Sequence, residues 1–234
     1  GAGRPPVVAV CLVGGCGGGG MFLAFGIACA LIEAARSGQG QVVDAAMVDG
    51  AASLMTYFHG YRAGGKWPGR GRSVTGGGSP FYAVYETKDG KYISVGSAEP
   101  KFYAELLRQT GLDQAGLPDR NDPAHWPVIR ERLEGVFRTR TRDEWCAQLE
   151  TSETCFAPVL DMQEAAAHPH NVARGTFIEV DGLLQPAPAP RFSRTPATTP
   201  TAGVEPGVDL AAALEGWGLQ AGEIQALAQA GTVA

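Results

Sequence analysis

The chain has 234 residues, a mass of 24.4 kDa and a formal net charge of −5, with hydrophobic residues at 44% and charged residues at 18%. It is too apolar and too weakly charged for a disordered chain, and it has no basic footprint for nucleic acid. A chain of this length can bury roughly 70% of its unfolded surface, so it can build a core without staples.

Gly1–Cys16 reads as an irregular lead, and Gly17–Gly20 follow as four consecutive glycines. After them runs MFLAFGIACALIEAARSG, with Glu33 and Arg36 at its end and Gly38 as a stop. Its apolar stretch Met21–Ile32 is short of the ~20 residues that span a bilayer, so a buried core helix is expected and no membrane partner. Gln41–Asp44 leans towards β structure, and Ala45–Ala63 reads as a second helix. Gly64–Pro80 has neither strand nor helix period and is expected as a long loop or linker.

Phe81–Glu86 and Lys91–Gly96 are β-rich runs around Lys88-Asp89-Gly90, a hairpin signal. Pro100 suits the first turn of the next helix, which puts Glu99 at or beside its N-cap. Trp126–Arg138 is amphipathic. Thr141 and Glu144 have the spacing of a capping box, and Asp161 can cap MQEAAAH. Phe156–Leu160 reads as a strand, and Phe177–Val180 with Leu183–Gln185 as a second hairpin. Pro186–Pro206 should be an extended linker, followed by short helices at Asp209–Trp217 and Gly222–Ala230. The division expected is 1–63, a linker at 64–80, an α+β unit at 81–185, a linker at 186–206, and helices at 207–234 returning to the first body.

Five cysteines at 11, 16, 29, 146 and 155 form no C-x-x-C pair and suit neither a zinc ribbon nor a disulfide framework. Reduced, half-buried thiols in a cytoplasmic protein are expected. His168-Pro169-His170 lacks any partner ligand, so no metal site is expected, and His59 reads as a core imidazole. The glycine tract suits close helix packing better than phosphate binding, because no P-loop string or dinucleotide fingerprint accompanies it. Asp44 and Asp49 read as buried, paired carboxylates. Glu99 is open between a structural role and proton transfer. Met47 and Met55 are either core fillers or an adaptable surface for a greasy substrate.

Longer strings then accumulate: GGGGMFLAFGIACALIEAARSGQGQVVDAAMVDGAASLM, GGGSPFYAVYETKDGKYISVGSAEPKFYAELL, FRTRTRDEW, CFAPVLDMQEAAAHPHNVARGTFIEVDG and PAPAPRFSRTP. Together they resemble the family III CoA-transferase superfamily (CaiB/BaiF type), and within it the α-methylacyl-CoA racemase branch. The resemblance implies an α/β fold: an incomplete Rossmann-like large domain plus a small α+β domain, interlocked with a second subunit as a homodimer. It implies inversion at the α-carbon of a 2-methyl-branched acyl-CoA thioester in fatty acid and lipid metabolism. CoA enters as part of the substrate, with no separate cofactor. Such a reaction needs one group to remove the α-proton, another to return one, and donors at the enolate oxygen.

By the same resemblance, Glu99 matches the carboxylate that supports the catalytic histidine, and Tyr82 a pocket-lining position. Met47 and Met55 fall near the acyl surface. The family's catalytic His sits in a G-H-D string, which this sequence lacks. Its Asp sits before the glycines, where this sequence has Gly15, with Cys16 in the next slot. The expectation is an N-terminally truncated chain whose own activity is negligible. Alternatives are a family III transferase, which moves CoA between carboxylic acids through an Asp, or a non-catalytic assembly partner of a full-length homologue.

Overall fold

The computed structural model describes residues 11–203 and 210–233. The chain divides into two compact units, Gly1–Val159 and Leu160–Ala234.

The first unit opens with α1, Leu12–Ser37, a continuous helix of 26 residues. Its first ten residues, Leu12–Met21, are π-helical, with Cys16 N–H reaching back five residues to Cys11 O at 3.0 Å. Six of those ten are glycine, counting from Gly14, and glycines tolerate the wider turn. The described part of the lead is therefore helical rather than irregular; the rest of it lies outside the described residues. Gly38 closes α1 with φ 76° and donates to Ala34 O at 2.9 Å.

The expectation of a buried helix at Met21–Ile32 is corrected. No residue of Phe22–Ser37 is buried, and Phe25, Leu31 and Ile32 are 71%, 66% and 69% exposed. The glycine segment joins the apolar run into one helix, which by length and composition is long and apolar enough to cross a membrane. Apolar periodicity identifies a face that seeks cover, but among the described residues too little packs on this one.

Gln41–Asp44, expected to lean towards β structure, belong to no strand of either sheet. The helix expected at Ala45–Ala63 is two helices, α2 (Met47–Leu54) and α3 (Thr56–Ala63), broken at Met55. Asp44 and Asp49 are exposed, not buried, and Asp49 faces water in the first turn of α2. Cys11, Cys16, Cys29 and Cys155 are exposed rather than half-buried; Cys146 alone of the five is partly covered, and all five are free thiols.

The core of the first unit lies beyond the glycine-rich loop. Strands β1 (Tyr82–Glu86), β2 (Tyr92–Gly96) and β3 (Phe156–Val159) form an antiparallel sheet in that order. Alternation sends Tyr85, Ile93 and Val95 to one face. There they meet Tyr103 and Leu106 of α4 (Pro100–Thr110), Ile129, Leu133 and Phe137 of α5 (Trp126–Phe137), and Trp145 and Leu149 of α6 (Arg142–Leu149). Two of the core's buried polar groups are served locally: Trp145 Nε1 donates to Phe137 O at 2.9 Å, and the Tyr85 hydroxyl donates to Pro80 O, while the Tyr103 hydroxyl has no hydrogen-bond partner among the described residues. Thr141 and Glu144 form the expected capping box at α6. The other sheet face, with Tyr82, Val84, Tyr92 and Val159, is open.

In the second unit, α7 (Met162–Ala167) carries an Asp161/Glu164 capping box and α8 (Pro169–Arg174) ends at Gly175. Strands β4 (Phe177–Val180) and β5 (Leu183–Pro186) form the second hairpin. The linker after it is tied back by Arg191, which donates to the carbonyls of Arg174 and Gly175. Helices α9 (Leu210–Gly216) and α10 (Ala221–Gln229) follow.

Candidate active site

The residues singled out in the sequence gather in two places. One is the end of the three-stranded sheet. Tyr82 pairs with Gly96 across β1 and β2, and Gly96 N–H donates to Cys155 O at 2.9 Å. A Cβ added at Gly96 would lie 3.6 Å from Cys155 Cβ and 3.7 Å from Tyr82 Cε2, so these two side chains flank the glycine. Glu99 follows three residues later as the N-cap of α4, with Pro100 in the first turn. Its side chain caps no backbone N–H, which leaves the exposed carboxylate available to other partners. That carboxylate acts on Cys155: partial burial first, then the negative charge of Glu99, pushes the Cys155 thiol above its ordinary value.

The loop that presents Glu99 is built to hold still. Ser97 is fully buried and its hydroxyl donates to Thr154 O at 2.6 Å. Arg120 donates to Ser97 O at 3.3 Å and Ala98 O at 2.9 Å. Its guanidinium packs over the rings of both Phe81, at 4.8 Å, and Tyr103, at 4.7 Å. Arg120 thus grips the residues just before both Tyr82 and Glu99. Nothing in the local sequence marks Arg120 or Cys155. Arg120 sits in a polar loop, and Cys155 takes a left-handed φ of 51° in a turn.

The other place is the helical N-terminal region. Met47 opens α2 and rests on Gly19, where an added Cβ would come within 3.1 Å of Met47 Cγ. Met55 lines a cavity of about 180 Å³ with Phe58, His59, Arg62 and Trp67. His59 is therefore not a core imidazole; it is exposed beside an apolar hollow. Gly15 lies in the π-helical turn, half-buried, with its N–H on Cys11 O at 2.9 Å. A Cβ there would meet only Cys11, at 3.5 Å from Sγ, so the position has room for a side chain. The glycine tract serves packing: a Cβ on Gly18 would sit 2.8 Å from Ala51 N. Among the described residues no cluster of His, Cys, Asp and Glu could hold a metal ion.

Residues 1–209 match CoA-transferase family III, and the chain belongs to that family. Within it, the chain is similar to α-methylacyl-CoA racemases: 41% identical to the Mus musculus protein over 210 residues, covering 88% of this chain and 55% of that one. It is 37% identical to the Homo sapiens racemase over 198 residues, covering 84% and 52%. The chain thus spans about half the length of the curated relatives it matches. A solved CaiB/BaiF family protein from Brucella suis shares the fold at a TM-score of 0.66 and 22% identity, over 91% of this chain and 57% of that one. The mixed helix-and-sheet class expected from the sequence holds.

Proposed function

We propose that the chain is part of an α-methylacyl-CoA racemase-like protein, acting on 2-methyl-branched acyl-CoA thioesters by removal and return of the α-proton. The observation that carries this reading is the 41% identity to a racemase across most of the chain. The site is in keeping with it. Glu99 is exposed on a braced loop near Cys155, where a supporting carboxylate can orient a base supplied by another segment or subunit. The apolar cavity at Met55 offers a soft wall for a branched chain. The assembly is a homodimer in the cytoplasm, in fatty acid metabolism, with CoA as part of the substrate and no further cofactor.

Racemisation at a thioester α-carbon needs two proton-transfer groups on opposite faces. These 234 residues hold no G-H-D string, and Gly15 stands where the family has its Asp. The chain alone is therefore expected to bind a 2-methylacyl-CoA saturably in calorimetry, yet to exchange its α-proton in D₂O no faster than the buffer blank. Failure to bind removes the racemase-like reading. Rapid exchange shows that other residues supply the two groups. CoA transfer to an added free carboxylic acid moves the protein to the transferase side of the family.

A further inference from the structure

The loop Gly64–Pro80 and the start of α5 enclose a cavity of about 480 Å³ that the acyl-CoA reading does not use. Arg72 and Gly78 line it from the loop, and Trp126, Pro127 and Arg130 line it from the helix. Gly78 is the point where the two arginines' segments meet, its carbonyl accepting from Arg130 and its Cα packed on the Arg72 backbone. A Cβ on it would lie 2.6 Å from the carbonyl carbon of Arg72 and 2.8 Å from its Cα, so only glycine lets the loop double back so closely.

Arg130 is held in advance. Its Nη2 donates to the carbonyls of Gly77 at 3.4 Å, Gly78 at 3.1 Å and Ser79 at 3.1 Å. This fixes the plane of the guanidinium and leaves its Nε and Nη1 without a protein acceptor among the described residues. Neither Arg130 nor Arg72 has a carboxylate within 4.0 Å among the described residues. No acidic side chain lines the cavity. Of the two acids adjacent in sequence to lining residues, Asp122 is committed to its own turn, with Oδ1 accepting from Ala124 N–H at 2.9 Å and Oδ2 4.0 Å from His125 Nε2, and Glu131 lines a different hollow with Leu112 and Val128. Two cations therefore line one concavity whose lining holds no acid, Glu134 standing one helical turn from Arg130 outside it, so an anion there would meet positive charge from both sides. The N-terminal end of the 12-residue α5 adds to the same positive field. The indole of Trp126, pinned by its Nε1 to Arg120 O at 2.8 Å, and Pro127 give the cavity a rigid apolar side.

From this geometry we infer that the cavity is a binding site for a phosphate-type oxyanion, gripped between Arg72 and Arg130, with the rest of the ligand against Trp126 and Pro127. It is independent of the acyl-CoA reading. The phosphate can be free or part of a nucleotide, and the experiment separates the two.

The ¹⁵N-labelled full chain is titrated with inorganic phosphate and, in parallel, with ADP, at constant ionic strength. The indole N–H of Trp126 is followed, with the buried Trp145 as internal reference. A saturable shift of Trp126 but not Trp145 is expected, and Arg72→Ala weakens the affinity about tenfold. Arg72 is exposed, so this variant keeps the fold. Arg130→Lys retains the charge but loses the fork, and is expected to weaken binding by a similar factor. Equal affinity for both probes assigns a free phosphate; tighter ADP assigns a nucleotide. No saturable shift up to about 10 mM of either probe, or an Arg72→Ala affinity equal to that of the native chain, overturns the site.

Discussion

Gly18 and Gly50 mark where α1 and α2 cross with no side chain between them. A Cβ on Gly50 would fall 1.9 Å from Gly18 O, inside any permitted contact, and the blocking atom is backbone. Gly50→Ala must therefore push the helices apart, and overpacking of this kind costs about 1–3 kcal/mol. Gly60, in α3, has nothing within 4 Å of its added Cβ, so Gly60→Ala should be neutral or slightly stabilising. Urea denaturation followed by far-UV circular dichroism checks the pair. Equal midpoints for the two variants would show that the crossing is not tight. The same arithmetic explains the glycine tract. Its residues bring two backbones together, and Gly15 is the half-buried member whose added Cβ meets no backbone, only the Cys11 side chain.

At the scale of elements, α4 carries a titration that the protein's stability should report. Arg108 grips Glu105 through Nε at 2.8 Å and Nη2 at 2.7 Å, and Gln109 adds a third donor at 2.9 Å. These hydrogen bonds, led by Arg108, hold the Glu105 carboxyl down at about 2. A depressed carboxylate stabilises the fold above its unfolded value of roughly 4.3, and that contribution is lost as pH falls towards the folded value. Thermal melts from pH 6 to pH 2 should show the native chain losing stability more steeply than Glu105→Gln below about pH 4.5, with the two converging near pH 2. A gap between them that does not change with pH would mean that the carboxylate's charge contributes nothing.

Elements like α4 were legible because their signals are local. Pro100 after Glu99, the Thr141/Glu144 and Asp161/Glu164 boxes, and Lys88-Asp89-Gly90 each act over three or four residues. The candidate site was legible only in part. Glu99 and Tyr82 are singled out by resemblance alone. The partners that brace them, Arg120 and Thr154, meet them from 21 and 55 or more residues away in the chain, and spacing carries no record of such contacts. The break at Met55 was equally hidden, since helix formers surround it. The exposure of the N-terminal helices is hidden for a different reason: composition says that a face is apolar, not that a neighbour is present.

What covers that face is the question for the whole molecule. Helix α1 leaves Phe25, Leu31 and Ile32 mostly in water, and burying each would be worth about 1.5–3 kcal/mol. The open sheet face adds Val84 and Tyr92, both about half exposed. In contrast, the core built on β1–β3 and α4–α6 is closed, with Ile93, Leu106, Ile129, Leu133, Phe137 and Leu149 wholly buried. One part of the chain is therefore covered by its own side chains, while another is left open among the described residues. Sedimentation equilibrium should find a mass above 24.4 kDa that rises with concentration. The triple change Phe25→Ser, Leu31→Ser and Ile32→Ser should bring it down towards the monomer while the near-ultraviolet signal of Trp145 in the closed core stays intact. A native chain that sediments as a monomer at tens of micromolar, or a triple variant that associates as the native chain does, would mean that α1 is not the adhesive surface. Co-flotation of the native chain with neutral lipid vesicles, absent in the triple variant, would instead identify a bilayer as its cover, since the helix meets the length and polarity that crossing requires.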